Sequence, residues 1–217
     1  MTQCVQDALR TAIVRLAFRP GEFIHKDAIC KRLGVSRFPV SEALGRLADE
    51  GLVEILPQRG TRVSRIDIAD CRQAMFIRRA IEGEAIRVIA PRVDDRLLAR
   101  IADNLLEQER AVRQADGVMY SRQDHAFHDM LLSELGYQRV KAVLQGARGN
   151  LDRTRQFLLR TPRRQAESYL DHVRIAEALK KRDPEAARHA MHRHLDQVIN
   201  EIETRAAENP EIFTPFA

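Results

Sequence analysis

The chain has no tryptophan, and aromatic residues fill only 5% of its 217 positions. Its three cysteines, Cys4, Cys30 and Cys71, are far apart, odd in number and form no CxxC pair. That excludes a cysteine-built zinc knuckle or dithiol site and fits a reducing cytoplasm. No run of about 18 apolar residues is present, so neither a transmembrane helix nor a membrane partner is expected. The opening MTQCVQDALR lacks the apolar core of a secretory leader, and a cytoplasmic location is expected. There is no internal repeat. Beyond about residue 66 no β-branched alternating run occurs, which excludes a large sheet there.

What is present is unevenly charged. Overall, 36 Lys and Arg face 31 Asp and Glu, a net +5. Residues 1–65 hold 11 against 7, so most of the excess sits in the first third of the chain. A nucleic-acid module carries its charge this way.

Within that third, Val5, Leu9, Ala12, Ile13 and Leu16 have helical spacing, and Arg19-Pro20-Gly21 ends the helix. A short helix over Lys26–Leu33 follows, then a Gly34-Val35 turn. Ser36 caps the next helix, Pro39 lies in its first turn, and Gly51 ends it. Its N-terminus shows Ser36, Arg37 and Ser41, while Val40, Ala43, Leu44 and Leu47 form an apolar side. A helix of this make fits a major groove with its first residues at base edges. Leu52–Leu56 and Thr61–Val63, joined by Pro57-Gln58-Arg59-Gly60, read as a hairpin. The predicted unit, residues 1–66, is a winged helix–turn–helix.

The text Leu33-Gly34-Val35-Ser36-Arg37-Phe38-Pro39-Val40-Ser41-Glu42-Ala43-Leu44, with Glu50-Gly51-Leu52-Val53 and Arg59-Gly60, resembles the GntR family of bacterial transcription regulators. The resemblance implies that Ser36 and Arg37 meet phosphate and base edges of a palindromic double-stranded operator. It places Arg46 near the backbone and Arg59-Gly60 as the wing tip in the minor groove. Where relatives read Val-Arg-Glu-Ala-Leu, this chain has Val40-Ser41-Glu42-Ala43-Leu44. Serine at 41 removes a bidentate guanine reader worth about 1–3 kcal/mol of discrimination. Phe38, where relatives often carry threonine, offers an apolar surface to a thymine methyl.

The remainder, 67–207, reads as six helices in an antiparallel bundle, making the whole chain mainly α. Asp67 caps the first, which runs to about Ala90. The others cover roughly Asp94–Gln114, Ser121–Leu135, Arg139–Arg160, Gln165–Lys181 and Pro184–Ala207. A tail over 208–217, with two prolines and no periodicity, is expected to be loose.

Of seven histidines, three lie among apolar neighbours. His128 aligns with Leu131 and Leu135, His172 with Ala176 and Leu179, His194 with Met191 and Val198. Asp124 precedes His128 by one turn and points the same way. His192 lies on a line with Glu185, Arg188 and Asp196, a solvated face. Burying such groups without partners is costly. Hydrogen-bonded core histidines are one solution. A zinc, nickel, manganese or iron ion held by three imidazoles and a carboxylate is the other.

Arg78-Arg79-Ala80-Ile81-Glu82, Asp124-His125-Ala126-Phe127-His128, Asp171-His172 and His194 resemble the helical FCD domain of the FadR-type branch of the same family. That resemblance implies a metal, zinc first, on Asp124, His128, His172 and His194. It also implies that Arg78, in preference to Arg79, pairs with an effector carboxylate; an i,i+4 surface pair with Glu82 is the alternative. Arg148, Arg153 and Arg155 are expected in solvent unless one enters the pocket. The expected protein is a homodimeric repressor released by a small organic acid. A metal-free acyl-CoA sensor of the same fold is one alternative. A metal-dependent hydrolase is another, although no HExxH motif accompanies the histidines.

Overall fold

The computed structural model describes residues 1–146, 149–159 and 161–214. The chain divides into two compact units. The first is Met1–Cys71 with Gly149–Gln156 and the residues from Thr204 on; the second is Arg72–Arg148 and Phe157–Glu203.

In the first unit, α1 (Thr2–Val14) buries Val5, Leu9 and Ile13 at helical spacing. The Pro20-Gly21 turn leads to β1 (Phe23–Ile24), a strand too short to register in the sequence pattern. Two helices follow, α2 (Lys26–Leu33) and α3 (Arg37–Asp49). Gly34 closes α2 in a left-handed conformation, φ 65°, and Gly51, φ 72°, follows the end of α3. Both positions need the freedom that glycine alone has without strain. Next come β2 (Val53–Leu56) and β3 (Gly60–Val63), paired antiparallel with Val53 opposite Val63. β1 adds to the other side of β3, giving the order β1-β3-β2. Val40, Leu44 and Leu47 of α3, all fully buried, share one core with α1 and the sheet.

Of the expected helices after residue 66, the first is α4 (Ile68–Ile89), and Asp67 Oδ1 accepts from the Ala69 amide at 2.8 Å at its start. Pro91 lies in a single 3-10 turn that ends it. α5 is Asp95–Arg113, capped by Asp94. α6 spans Gly117–Glu134, starting earlier than Ser121 because Asp116 caps it through the Met119 amide at 2.9 Å. The stretch expected as one helix over 139–160 is described as α7 (Gln138–Gly146) and α8 (Gly149–Leu158). Ala147, Arg148 and Arg160 lie outside the described residues. α9 is Pro162–Lys180, with Thr161 as cap and proline at its first position, and α10 is Pro184–Glu208. The second unit is built on α5 packed against α6 and α9, and no helix among the described residues is long and apolar enough to cross a membrane.

Two features of the first unit depart from expectation. The described part of the tail is tied down: the Ile66 amide donates to Ile212 and the Thr214 amide to Ile66, both at 2.9 Å. Phe213 between them is buried. One aromatic anchor and two strand-like bonds outweigh the absence of periodicity. Arg153, expected in solvent, is fully buried and donates from Nη2 to the Ser64 carbonyl. Burial lowers its guanidinium to about 10, with Cys71 opposing. Arg155 stays largely covered beside Asp152.

Phe213→Ala should destabilise the protein by about 3–5 kcal/mol, the cost of a buried aromatic cut to alanine. Urea denaturation monitored by circular dichroism measures this; a loose tail would leave the midpoint unchanged.

Candidate metal centre and nucleic-acid interface

In the second unit α6, α9 and α10 bring Asp124, His128, His172 and His194 together. One ligating atom from each lies within 4.8 Å of all the others, and all four residues are buried. Bonds of about 2.0–2.1 Å to one ion place its ligand atoms roughly 3–4 Å apart, so the cluster needs only slight closure.

The imidazoles are oriented for this. His172 Nδ1 is 2.8 Å from Oε1 of Gln108, itself buried on α5 and bonded to Asn104 at 2.7 Å. An amide oxygen can only accept, so Nδ1 carries the proton and Nε2 offers its lone pair. That Nε2 stands 3.6 Å from Oδ1 of Asp124. His128 Nδ1 lies 2.6 Å from Oε2 of Glu82. Both of its ring nitrogens are buried without a well-aligned hydrogen bond among the described residues. His194 Nδ1 faces Oδ2 of Asp171 at 3.7 Å. Gln108 thus fixes the tautomer of His172, and the carboxylates of Glu82 and Asp171 lie on the outer side of His128 and His194, where outer groups orient metal-binding histidines. Phe127 stacks on His172 at 4.3 Å between ring centres. Burial lowers His128 to about 4 despite the opposing Glu82 charge, leaving its ring neutral at neutral pH. The donor set, three neutral imidazoles and one carboxylate, fits a divalent transition metal.

Arg78 and Glu82 of α4 do form the i,i+4 pair, but buried rather than on the surface. Arg78 Nε donates to Glu82 Oε1 at 2.6 Å. Burial alone would raise the Glu82 carboxyl; Arg78 and His128 hold it well below the usual range. Gln108, Asp171 and the link from Glu82 to His128 were not read from the sequence. Asp171 precedes His172, so it points away from that ring and toward α10, and only the fold says what it meets there. His192 likewise leaves its expected solvated face and lies over Gly83, where an added Cβ would sit 2.1 Å from Nε2.

In the first unit, Ser36 occupies the N-cap position of α3 in an extended conformation, and its side chain makes no capping bond. Ser36, Arg37 and Ser41 are exposed at the start of α3. The Arg37 guanidinium is forked by Asp27 of α2, at 2.7 and 2.8 Å. A cleft of about 470 Å³ beside them is lined by Ile24, His25, Lys26, Asp27, Arg37 and Ser41. Arg46, two turns further along, pairs with Glu42 at 2.7 Å. Arg59 and Gly60 are exposed at the hairpin tip.

A winged helix–turn–helix in a chain with a helical domain holding a buried Asp/His cluster defines a DNA-binding regulator class. The comparisons agree. Residues 1–63 match the bacterial regulatory proteins of the gntR family, and residues 73–197 match the FCD domain. The chain is 34% identical over 209 residues to an uncharacterized HTH-type transcriptional regulator in an unstable DNA locus of Streptomyces ambofaciens, covering 96% of this chain and 88% of that one. It is 29% identical over 214 residues to the HTH-type transcriptional repressor RspR of Escherichia coli, covering 99% and 94%. The crystal structure of a putative transcriptional regulator GntR from Rhodococcus sp. RHA1 superposes with a TM-score of 0.78 at 26% identity, over 94% and 97% of the two chains. The chain therefore belongs to the GntR family and carries an FCD domain. This family regulates transcription and is not enzymatic, which sets the hydrolase reading aside.

Glu82→Ala should cost about 3–5 kcal/mol in chelator-containing buffer, because Arg78 stays buried without its carboxylate. The pair Arg78→Met with Glu82→Leu should recover most of that loss in the same urea titration.

Proposed function

We propose that this regulator is a homodimeric repressor that binds an operator and is released by a small organic acid held at a metal centre. Asp124, His128, His172 and His194 hold the metal, with zinc the best match to the donor set. The observation that carries this is the burial of four ligating groups within reach of one ion, with Gln108 bonded to His172 and Glu82 and Asp171 beside the other two rings. It also ranks this reading above a metal-free acyl-CoA sensor, which has no use for such a cluster. When bound, the ion supplies a Lewis-acid anchor for a carboxylate oxygen.

Arg78 is the effector's second contact. It shares Glu82 with His128, so an arriving carboxylate competes with Glu82 for the guanidinium fork. That exchange couples effector binding to α4. Linkage then requires the effector to weaken operator binding by the factor by which operator weakens effector binding. Repression is supported by the Escherichia coli relative, an HTH-type transcriptional repressor. Phe76, three-quarters exposed on α4, is an apolar group that a second copy can cover.

On the DNA side, Ser36, Arg37 and Ser41 face base edges and phosphates, Arg46 the backbone, and Arg59-Gly60 the minor groove. The Asp27 fork holds the Arg37 guanidinium extended from the helix N-terminus.

Metal analysis of the purified chain should find at least about one ion per two chains, near one when fully loaded. Asp124→Ala and His172→Ala should abolish it, and Gln108→Leu should weaken metal affinity about 10–100-fold. Metal-free wild type, or full loading in His172→Ala, would refute the assignment. Arg37→Ala should weaken operator binding by about 1–3 kcal/mol in an anisotropy titration, and unchanged affinity would refute the docking.

A further inference from the structure

The exposed side of α3 carries one large apolar group that nothing among the described residues covers. Phe38 is 75% exposed in the first turn, next to Arg37. Buried Pro39, Val40, Ala43, Leu44 and Leu47 occupy the opposite side. Helical spacing aligns Phe38 with Ser41 and Gly45, three and seven residues on. Gly45 has a mid-helix position with negative φ, where alanine is the better helix former. An added Cβ there would meet no atom of the chain within 4 Å. Neither backbone conformation nor internal packing therefore asks for glycine. The stripe is flat except for the phenyl ring, and it lies between cationic Arg37 and the rest of a positively charged domain.

These observations are explained by one occupant, a duplex seated closely on α3. Serine at 41 and glycine one turn on are short enough to let the helix approach the base pairs closely. An exposed ring at the leading end then has one apolar feature to meet in a major groove, the C5 methyl of thymine. We infer that Phe38 is a specificity-determining residue that packs on a thymine C5 methyl in each operator half-site, and that Gly45 permits the close approach this needs. The inference rests on the DNA-binding reading and adds to it the base that α3 selects.

The test begins with the full chain and a randomised duplex library, from which the preferred duplex is selected. Each thymine of that duplex is then replaced singly by deoxyuridine, which removes only the methyl. At one position per half-site, wild type should lose about fourfold in affinity, the worth of one buried carbon. Phe38→Ala should bind the thymine and deoxyuridine duplexes equally. Because Phe38 is exposed, that variant should keep the wild-type melting temperature. Gly45→Ala should melt at or above the wild-type temperature yet bind the selected duplex more weakly.

If no thymine distinguishes wild type from Phe38→Ala, the inference is overturned while the operator reading stands. The same holds if Gly45→Ala binds as tightly as wild type. Loss of self-association in Phe38→Ala would place the ring in a protein contact and overturn it equally. Failure of wild type to select any sequence would overturn the operator reading as well.

Discussion

The second unit is organised around the cost of burying three imidazoles and a carboxylate. Each group loses its water, and a neutral ring keeps one donor and one acceptor nitrogen that both need a partner. The fold places Gln108, Glu82 and Asp171, on three different helices, at the outer nitrogens, with a hydrogen bond from His172 to Gln108. It leaves the acceptor side converging. Much of the remaining buried polarity follows from this. Asn104 sits where it does to hold Gln108, and Arg78 to neutralise Glu82. A carboxylate that is both ion-paired and shared with a histidine links helix α4 to a centre built on other helices.

The first unit obeys a different constraint. Its winged helix–turn–helix packs on one small cluster, and helix α3 spends one face on that core while keeping the other bare. Local signals are strong because the turns are tight. Gly34 and Gly51 lie at positive φ, and the hairpin between β2 and β3 places Gln58 there too, at φ 59°. Additional anchorage comes from remote chain segments, through the Arg153 bond to Ser64 and the pairing of Ile66 with residues 212–214. Both contacts lie on the stretch just after β3, so that stretch is a braced strut rather than a free hinge.

This explains what the sequence could and could not disclose. Caps, glycine stops and apolar stripes are local, and they placed the helices and the wing closely. Histidine spacing was readable because each ring lies in phase with an apolar stripe. The two-residue strand β1 has too few positions to show a period. The tail's order depends on one ring, Phe213, and on partners far away in the chain. Gln108 and Asp171 look like ordinary polar residues until the fold brings an imidazole to each. Arg153 sits in a stretch whose charges suggest solvent, yet its guanidinium binds a carbonyl in the core.

The same division bears on how this protein differs from its relatives. Changes in the buried cluster are constrained from both sides, since each ring has a buried polar group on its outer side and Gln108, Glu82 and Asp171 are each held by a further side chain. A substitution there leaves a buried polar atom stranded and costs stability as well as binding. The exposed face of α3 carries no such burden. Ser41 and Phe38 touch little of their own chain, so they can vary without loss of fold. Physical chemistry therefore makes the buried Asp/His cluster the constrained part of this molecule and the exposed face of the first two turns of α3 the part free to change. Ser41, exposed on that face, is free to change without cost to the fold.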